Sequence, residues 1–197
     1  MASTGKKPRC VKCGALERHR IFRGVFERIG TSQFKNLSCL MFSCDGTVED
    51  AWFSSLRYSV YGTDTSLDVQ QIALPDNSYD VIICNHVLEH VLRYQDGLRE
   101  LVRVAQAFAF VSFPNPHARA VTKDWGYPKP DEDMHYRLFG ADIEKQFATL
   151  LPGTKIARVV GTDPVTGSED RAYLLSKEQK WIDRLGEAKV RHQVLDT

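Results

Sequence analysis

The stretch Leu74-Pro75-Asp76-Asn77-Ser78-Tyr79-Asp80-Val81-Ile82-Ile83-Cys84-Asn85-His86-Val87-Leu88-Glu89-His90-Val91 constrains the fold more than any other part of the chain. A turn through Pro75 to Ser78 runs into an unbroken apolar burst, Val81 to Cys84. Such a burst reads as a strand buried on both faces, and these strands occur mostly in parallel sheets covered by helices. It breaks into polar residues, Asn85, His86, Glu89 and His90, at its carboxyl end. Open α/β sheets bind their ligands in the crevice at that end of the strands.

The flanking residues supply the rest of such a sheet. Leu16, Ile21, Val25, Phe26 and Ile29 recur near helical spacing, which predicts an N-terminal helix over 15–30 with Gly30 as its C-cap. Strands are expected at Ser38 to Ser43, Tyr58 to Gly62, weakly at Asp68 to Ile72, and at Phe108 to Phe113, which stops at Pro114-Asn115-Pro116. Helical patterns cover Ala51 to Leu56, Leu92 to Val104, Ala141 to Leu151 and a short segment around Trp181, Ile182 and Leu185. Lys155 to Val160 and Ala172 to Leu175 are expected to pair antiparallel as the last strands. This alternation predicts an α/β fold: a doubly wound, mostly parallel sheet of about seven strands, helices on both faces, last strand antiparallel. Residues 1–14 are expected to be mobile, and 15–197 to form a single domain. Within it, 117–139 reads as a lid or acceptor loop, because long loops in compact domains tend to carry function. Residues 178–197 read as a C-terminal helix and tail.

With 197 residues and 43% hydrophobic content, the chain can bury one sizeable core. A net charge of +1 gives no electrostatic case for a nucleic-acid partner. No apolar run approaches the roughly 20 residues of a membrane span, and Met1 to Arg9 lacks the hydrophobic segment of a secretory signal. A cytoplasmic location with reduced cysteines is expected, and a homodimer is left open. Cys10 and Cys13 form a single C-x-x-C pair with no second pair at ribbon spacing, and His86 and His90 have no third ligand at a fitting spacing. No metal site is expected.

The run from Asn77 to Val91 closely resembles the fourth-strand segment of class I S-adenosylmethionine-dependent methyltransferases. Arg103-Val104-Ala105 and Val111-Ser112-Phe113-Pro114-Asn115-Pro116 resemble the approach to, and the end of, their fifth strand. Three further pieces are similar to a methyltransferase type 11-like subgroup: Cys13 to Arg20, His135-Tyr136-Arg137-Leu138-Phe139-Gly140, and Asp163-Pro164-Val165-Thr166-Gly167. The resemblance covers roughly residues 34 to 176. It implies a Rossmann-like fold, S-adenosyl-L-methionine as cofactor, and methyl transfer to a small-molecule or sugar acceptor. One departure is plain: where the family carries a glycine-rich loop, this chain has Met41-Phe42-Ser43-Cys44-Asp45-Gly46-Thr47, with a single glycine.

By resemblance, Ser43, Cys44, Asp45 and Gly46 face the methionine part of the cofactor, and Asp64 with Thr65 holds the ribose. Gln70 and Gln71 are the nearest groups for the adenine, since an amide can both donate and accept. Asn85 and His86 border the reactive centre. Arg18 and Arg20 on the N-terminal helix can hold a carboxylate through a guanidinium. His86 and His135 are the candidate bases, a role an oxygen nucleophile requires. His117, Trp125, Tyr127 and Tyr136 are candidates for the acceptor pocket. The degenerate loop motivates a second reading, a catalytically inactive methyltransferase-like binding or scaffold protein. A dinucleotide oxidoreductase would need G-x-G-x-x-G, which is absent.

Overall fold

The structure, a computed structural model, describes residues 9–12 and 14–196. The mobility expected of 1–14 falls largely on residues outside that set, as does Cys13. Helix α1 spans Glu17–Ile29 and ends at Gly30, whose φ of 102° suits a residue without Cβ. His19 Nδ1 accepts the backbone N–H of Leu16 at 3.3 Å, so an imidazole satisfies one of the free donors at the helix start.

Among the described residues nine strands follow: β1 Ser38–Phe42, β2 Ser55–Ser59, β3 Tyr79–Asn85, β4 Ala105–Ser112, β5 Lys123–Lys129, β6 His135–Leu138, β7 Lys155–Thr162, β8 Glu169–Ser176 and β9 His192–Leu195. Helices α2 Tyr94–Val104, α3 Ile143–Leu150 and α4 Gln179–Glu187 intervene. Seven strands form the main sheet in the order β2-β1-β3-β4-β8-β7-β9. The first four run parallel, and β8, β7 and β9 are joined to them through antiparallel pairings. The expected class, a mostly parallel α/β sheet closed by antiparallel strands, is the one found.

Side-chain alternation distributes the core over both faces. Cys39, Met41, Val81, Ile83, Phe108 and Phe110 pack with Ile21, Phe22, Val25 and Phe26 of α1 and with Trp181, Ile182 and Leu185 of α4. Phe26 and Phe22 meet Phe110 with ring centroids 4.9 and 5.5 Å apart. The intervening residues, Leu40, Phe42, Ile82, Cys84, Ala109 and Val111, pack with Leu98 and Leu101 of α2 and Ile143 and Phe147 of α3.

Four expectations change. Asp68 to Ile72 is not a strand: Val69 and Ile72 enter the core from irregular backbone. Arg103 holds that backbone by donating to the carbonyls of Ile72 and Leu74, while Glu100 accepts the Ile72 N–H. The seventh strand comes instead from the tail, where β9 pairs with β7. Residues 117–139 are not one loop, because β5 and β6 pair as an antiparallel ribbon. Ala51 to Leu56 is a single 3₁₀ turn, Asp50–Trp52, leading directly into β2.

Candidate active site

Strand register places the site. Phe42 of β1 lies opposite Ser59 of β2 and Cys84 of β3, and Asn85 lies opposite Ser112 of β4. The carboxyl ends of four parallel strands are therefore flush. The Ser43 N–H donates to the Ser59 carbonyl at 2.9 Å and the His86 N–H to the Ser112 carbonyl at 3.1 Å, which extends the pairing to the rim. There the chain turns sharply at two adjacent strands: φ is 76° at Ser43 and 54° at His86. Positive φ in residues bearing a Cβ is uncommon and clusters where a site over-determines the backbone. Ser43 adopts the glycine-type conformation while carrying a side chain small enough for it.

A polar knot lies behind that rim. Asn85, 3% exposed, donates to Asp45 Oδ2 at 3.2 Å and to Thr47 Oγ1 at 3.3 Å, and accepts from Ser112 Oγ at 3.0 Å. Asp45 Oδ1 accepts the Thr47 N–H at 2.9 Å. The glycine-poor loop is thus tied to β3 through its own acid. Thr47 is fully buried and was not among the expected site residues, because the loop motif gave no reason to read past Gly46.

Cavities flank the knot. One of about 420 Å³ is lined by Phe42, Ser43, Ser59, Leu67, Asp68, Gln70, Val87, His90 and Tyr136, among others. Gln70 is fixed there, its Oε1 accepting the Arg93 N–H at 2.8 Å and its Nε2 donating to Asp68 at 3.1 Å. Asp64, Thr65 and Gln71 lie in exposed backbone outside this lining, whereas Asp68 is part of it. A second cavity, about 410 Å³, opens over the ends of β3 and β4 between Arg18, His86, Asn115, Arg119 and Asp170. A third, about 600 Å³, lies between α1 and the first loop, touching His19, Arg20, Cys44, Asp45 and Gly46.

The two arginines of α1 differ. Arg20 forms a two-point ion pair with Asp163, at 2.9 and 2.6 Å, and also donates to the Ala15 carbonyl. Its guanidinium holds the Asp163 carboxyl down at about 2. Arg18 Nε is buried and finds no partner among the described residues. Burial lowers the pKa of Arg18, against the attraction of Asp45, Glu89 and Asp170.

His86 Nδ1 lies 3.7 Å from Glu89 Oε1, a carboxylate that is 1% exposed. His135 lies well away in sequence but packs edge-on against His90, ring centroids 4.5 Å apart. Glu89, His90 and His135 bring one potential ligand atom each within 4.8 Å of one another, a juxtaposition invisible in sequence because β6 supplies the third member. The four residues read as acceptor-pocket candidates have different surroundings. His117 bonds Glu144 at 3.0 Å, Trp125 lies between Lys123 and Lys129, Tyr127 is exposed, and Tyr136 lines the 420 Å³ cavity.

Residues 58–107, from β2 into β4, match the model of the methyltransferase domain family. Over 83 residues the chain is 26% identical to ajmaline N-methyltransferase of Rauvolfia serpentina. That match covers 42% of this chain and only 28% of the relative, so the chain spans well under two thirds of its length. Among solved structures, 1,6-didemethyltoxoflavin-N1-methyltransferase of Burkholderia thailandensis, with bound 1,6-didemethyltoxoflavin and S-adenosylhomocysteine, aligns with TM-score 0.50 and 10% identity, over 80% of this chain and 78% of that one. The trans-methyltransferase CalH in complex with S-adenosylhomocysteine aligns with TM-score 0.52 and 14% identity, over 84% and 60%. The sheet thus shares its fold with these two methyltransferases, and the central segment 58–107 is similar in sequence to the methyltransferase domain family.

Proposed function

We propose that this chain binds S-adenosyl-L-methionine across the flush ends of β1, β2 and β3 and transfers its methyl group to a small acceptor over β3 and β4. The observation carrying this reading is a pair of cavities on either side of the His86–Val87 step, one reaching Val87 and lined by Asp68 and Gln70, the other lined by Arg18 and His86. The chain's own groups fit the cofactor's chemistry. The carboxylate of Asp68 suits a ribose diol, and the Gln70 amide lies beside it. Arg18, half-buried and with no partner for its Nε among the described residues, suits the carboxylate of the methionine part. The open backbone at Ser43 permits close approach of a ligand at the end of β1.

When bound, the sulfonium supplies an activated methyl, so the protein's work is orientation, exclusion of water and proton acceptance. His86, next to Glu89, is placed to take a proton from an acceptor that opens onto its cavity. The Asn85 knot ties the first loop to β3. A small-molecule or sugar acceptor matches cavities of this size, and the names of the similar enzymes point the same way. No helix among the described residues is long and apolar enough to cross a membrane.

Calorimetric titration with S-adenosylmethionine and S-adenosylhomocysteine tests the reading. Micromolar binding of both is expected, followed by methyl transfer in an acceptor screen. A well-folded sample that binds neither would instead support the scaffold reading.

A further inference from the structure

We infer that Glu89, His90 and His135 form a binding site for a divalent first-row transition metal ion, with two imidazole nitrogens and one carboxylate oxygen as protein ligands. Their potential ligand atoms lie within 4.8 Å of one another. Ligands on such an ion stand about 2.0–2.2 Å from it, so two of them can be no more than about 4.4 Å apart. Closing the remaining few tenths of an ångström needs only a small torsional adjustment of exposed His90 or half-buried His135. Two nitrogens and one oxygen are a donor set that suits zinc, cobalt, nickel or iron rather than calcium or magnesium.

The surroundings hold the three groups together. Glu89 and His90 lie in the short turn Leu88–His90, and His135 opens β6. Arg137 of β6, 1% exposed, donates to the carbonyls of Leu88 at 3.1 Å and Leu92 at 2.7 Å and also to that of Val91. Its Nε pairs with Asp124 at 2.8 Å. A single buried guanidinium therefore fixes the strand carrying one ligand to the turn carrying the other two. His90 and Tyr136 line the 420 Å³ cavity, so the open coordination positions face solvent and any bound molecule.

Metal binding is read directly and does not depend on methyl transfer. The whole protein, stripped with a chelator, is titrated with Co²⁺ and with Zn²⁺, and metal content is measured after dialysis. About one equivalent is expected, with visible Co²⁺ absorption bands and no strong near-ultraviolet thiolate band. His90→Gln and His135→Ala are each expected to weaken binding at least tenfold, with the thermal transition of the metal-free protein preserved. His135→Asn replaces the alanine variant if that protein does not fold. Absence of stoichiometric binding overturns the site. Binding that survives in both histidine variants overturns it too, as does a thiolate band that disappears in Cys10→Ser.

Discussion

Asp64 and Asp68 both lie in the segment joining β2 to β3, and only their local backbone tells them apart. Asp64 stands in the tight turn after Tyr61-Gly62, where φ at Gly62 is 79°, and it is exposed. Asp68 comes after the turn has closed. Its Oδ1 already accepts the Gln70 N–H at 2.9 Å, leaving the other oxygen for a ligand in the cavity it lines. Motif position selects Asp64, and cavity geometry selects Asp68. If Asp68 holds the ribose, Asp68→Ala weakens S-adenosylhomocysteine binding by about 1–3 kcal/mol, the cost of losing hydrogen bonds to a charged group. Asp64→Ala then changes it by less than about 0.5 kcal/mol, as surface substitutions usually do. Calorimetry on the two variants ranks them, and the opposite ranking returns the role to Asp64.

At the scale of elements, the three peripheral motifs are joints that position the site. Glu17 and Arg20 of α1 meet the loop 163–168 through Asp163, Thr166 and Ser168. Arg137 ties β6 to the turn after β3. Gly140, just past β6, passes so close to the preceding ribbon that a Cβ there would stand 2.4 Å from the Val121 carbonyl carbon and 2.6 Å from the Thr122 nitrogen. Backbone atoms cannot step aside as a side-chain tip can, so Gly140→Ala is expected to cost about 1–3 kcal/mol by overpacking. Denaturant unfolding should show a lower midpoint at unchanged slope; an unchanged midpoint means the ribbon adjusts freely. The sequence revealed these motifs as related pieces but not as contacts, since each joins residues far apart in the chain. Strands with continuous apolar runs, β1, β3 and β4, were legible because burial on both faces leaves no other pattern. The β5–β6 ribbon was not, because Gly126 and Pro128 interrupt it and its register shifts between Asp124 and Lys129. Nor was β9, whose His192-Gln193-Val194-Leu195 is half polar at a sheet edge.

For the whole molecule, the same charges that organise the site set how folding responds to acid. The class of fold followed from the order of strands and helices, while the balance of its ionisable groups depends on partners brought together only by folding. His19 is held below its ordinary pKa by burial, against Asp45 and reinforced by Arg18, Arg20 and Arg9. His117 is likewise depressed by burial, with Glu144 opposing and Arg158 and Arg171 adding to the shift. A histidine with a depressed folded pKa contributes stability that is full above about pH 6.5 and is lost as pH falls through the folded value, because the unfolded chain takes up the proton first. Asp163 adds a separate, lower window. Its carboxyl drops from 3.8 to about 2 beside Arg20, so its contribution is full above about pH 4 and disappears towards pH 2. That shift corresponds to about 2 kcal/mol. Unfolding free energy measured from pH 8 to pH 3 should therefore decline first below about pH 6.5 and again below about pH 4. Asp163→Asn removes the carboxylate partner of a partly buried guanidinium and lowers stability at neutral pH. The gap between this variant and the parent chain should narrow as pH falls through the lower window, while the decline below pH 6.5 persists in both. A gap that stays constant down to the lowest pH at which both remain folded would place the acid sensitivity elsewhere than the Arg20–Asp163 joint.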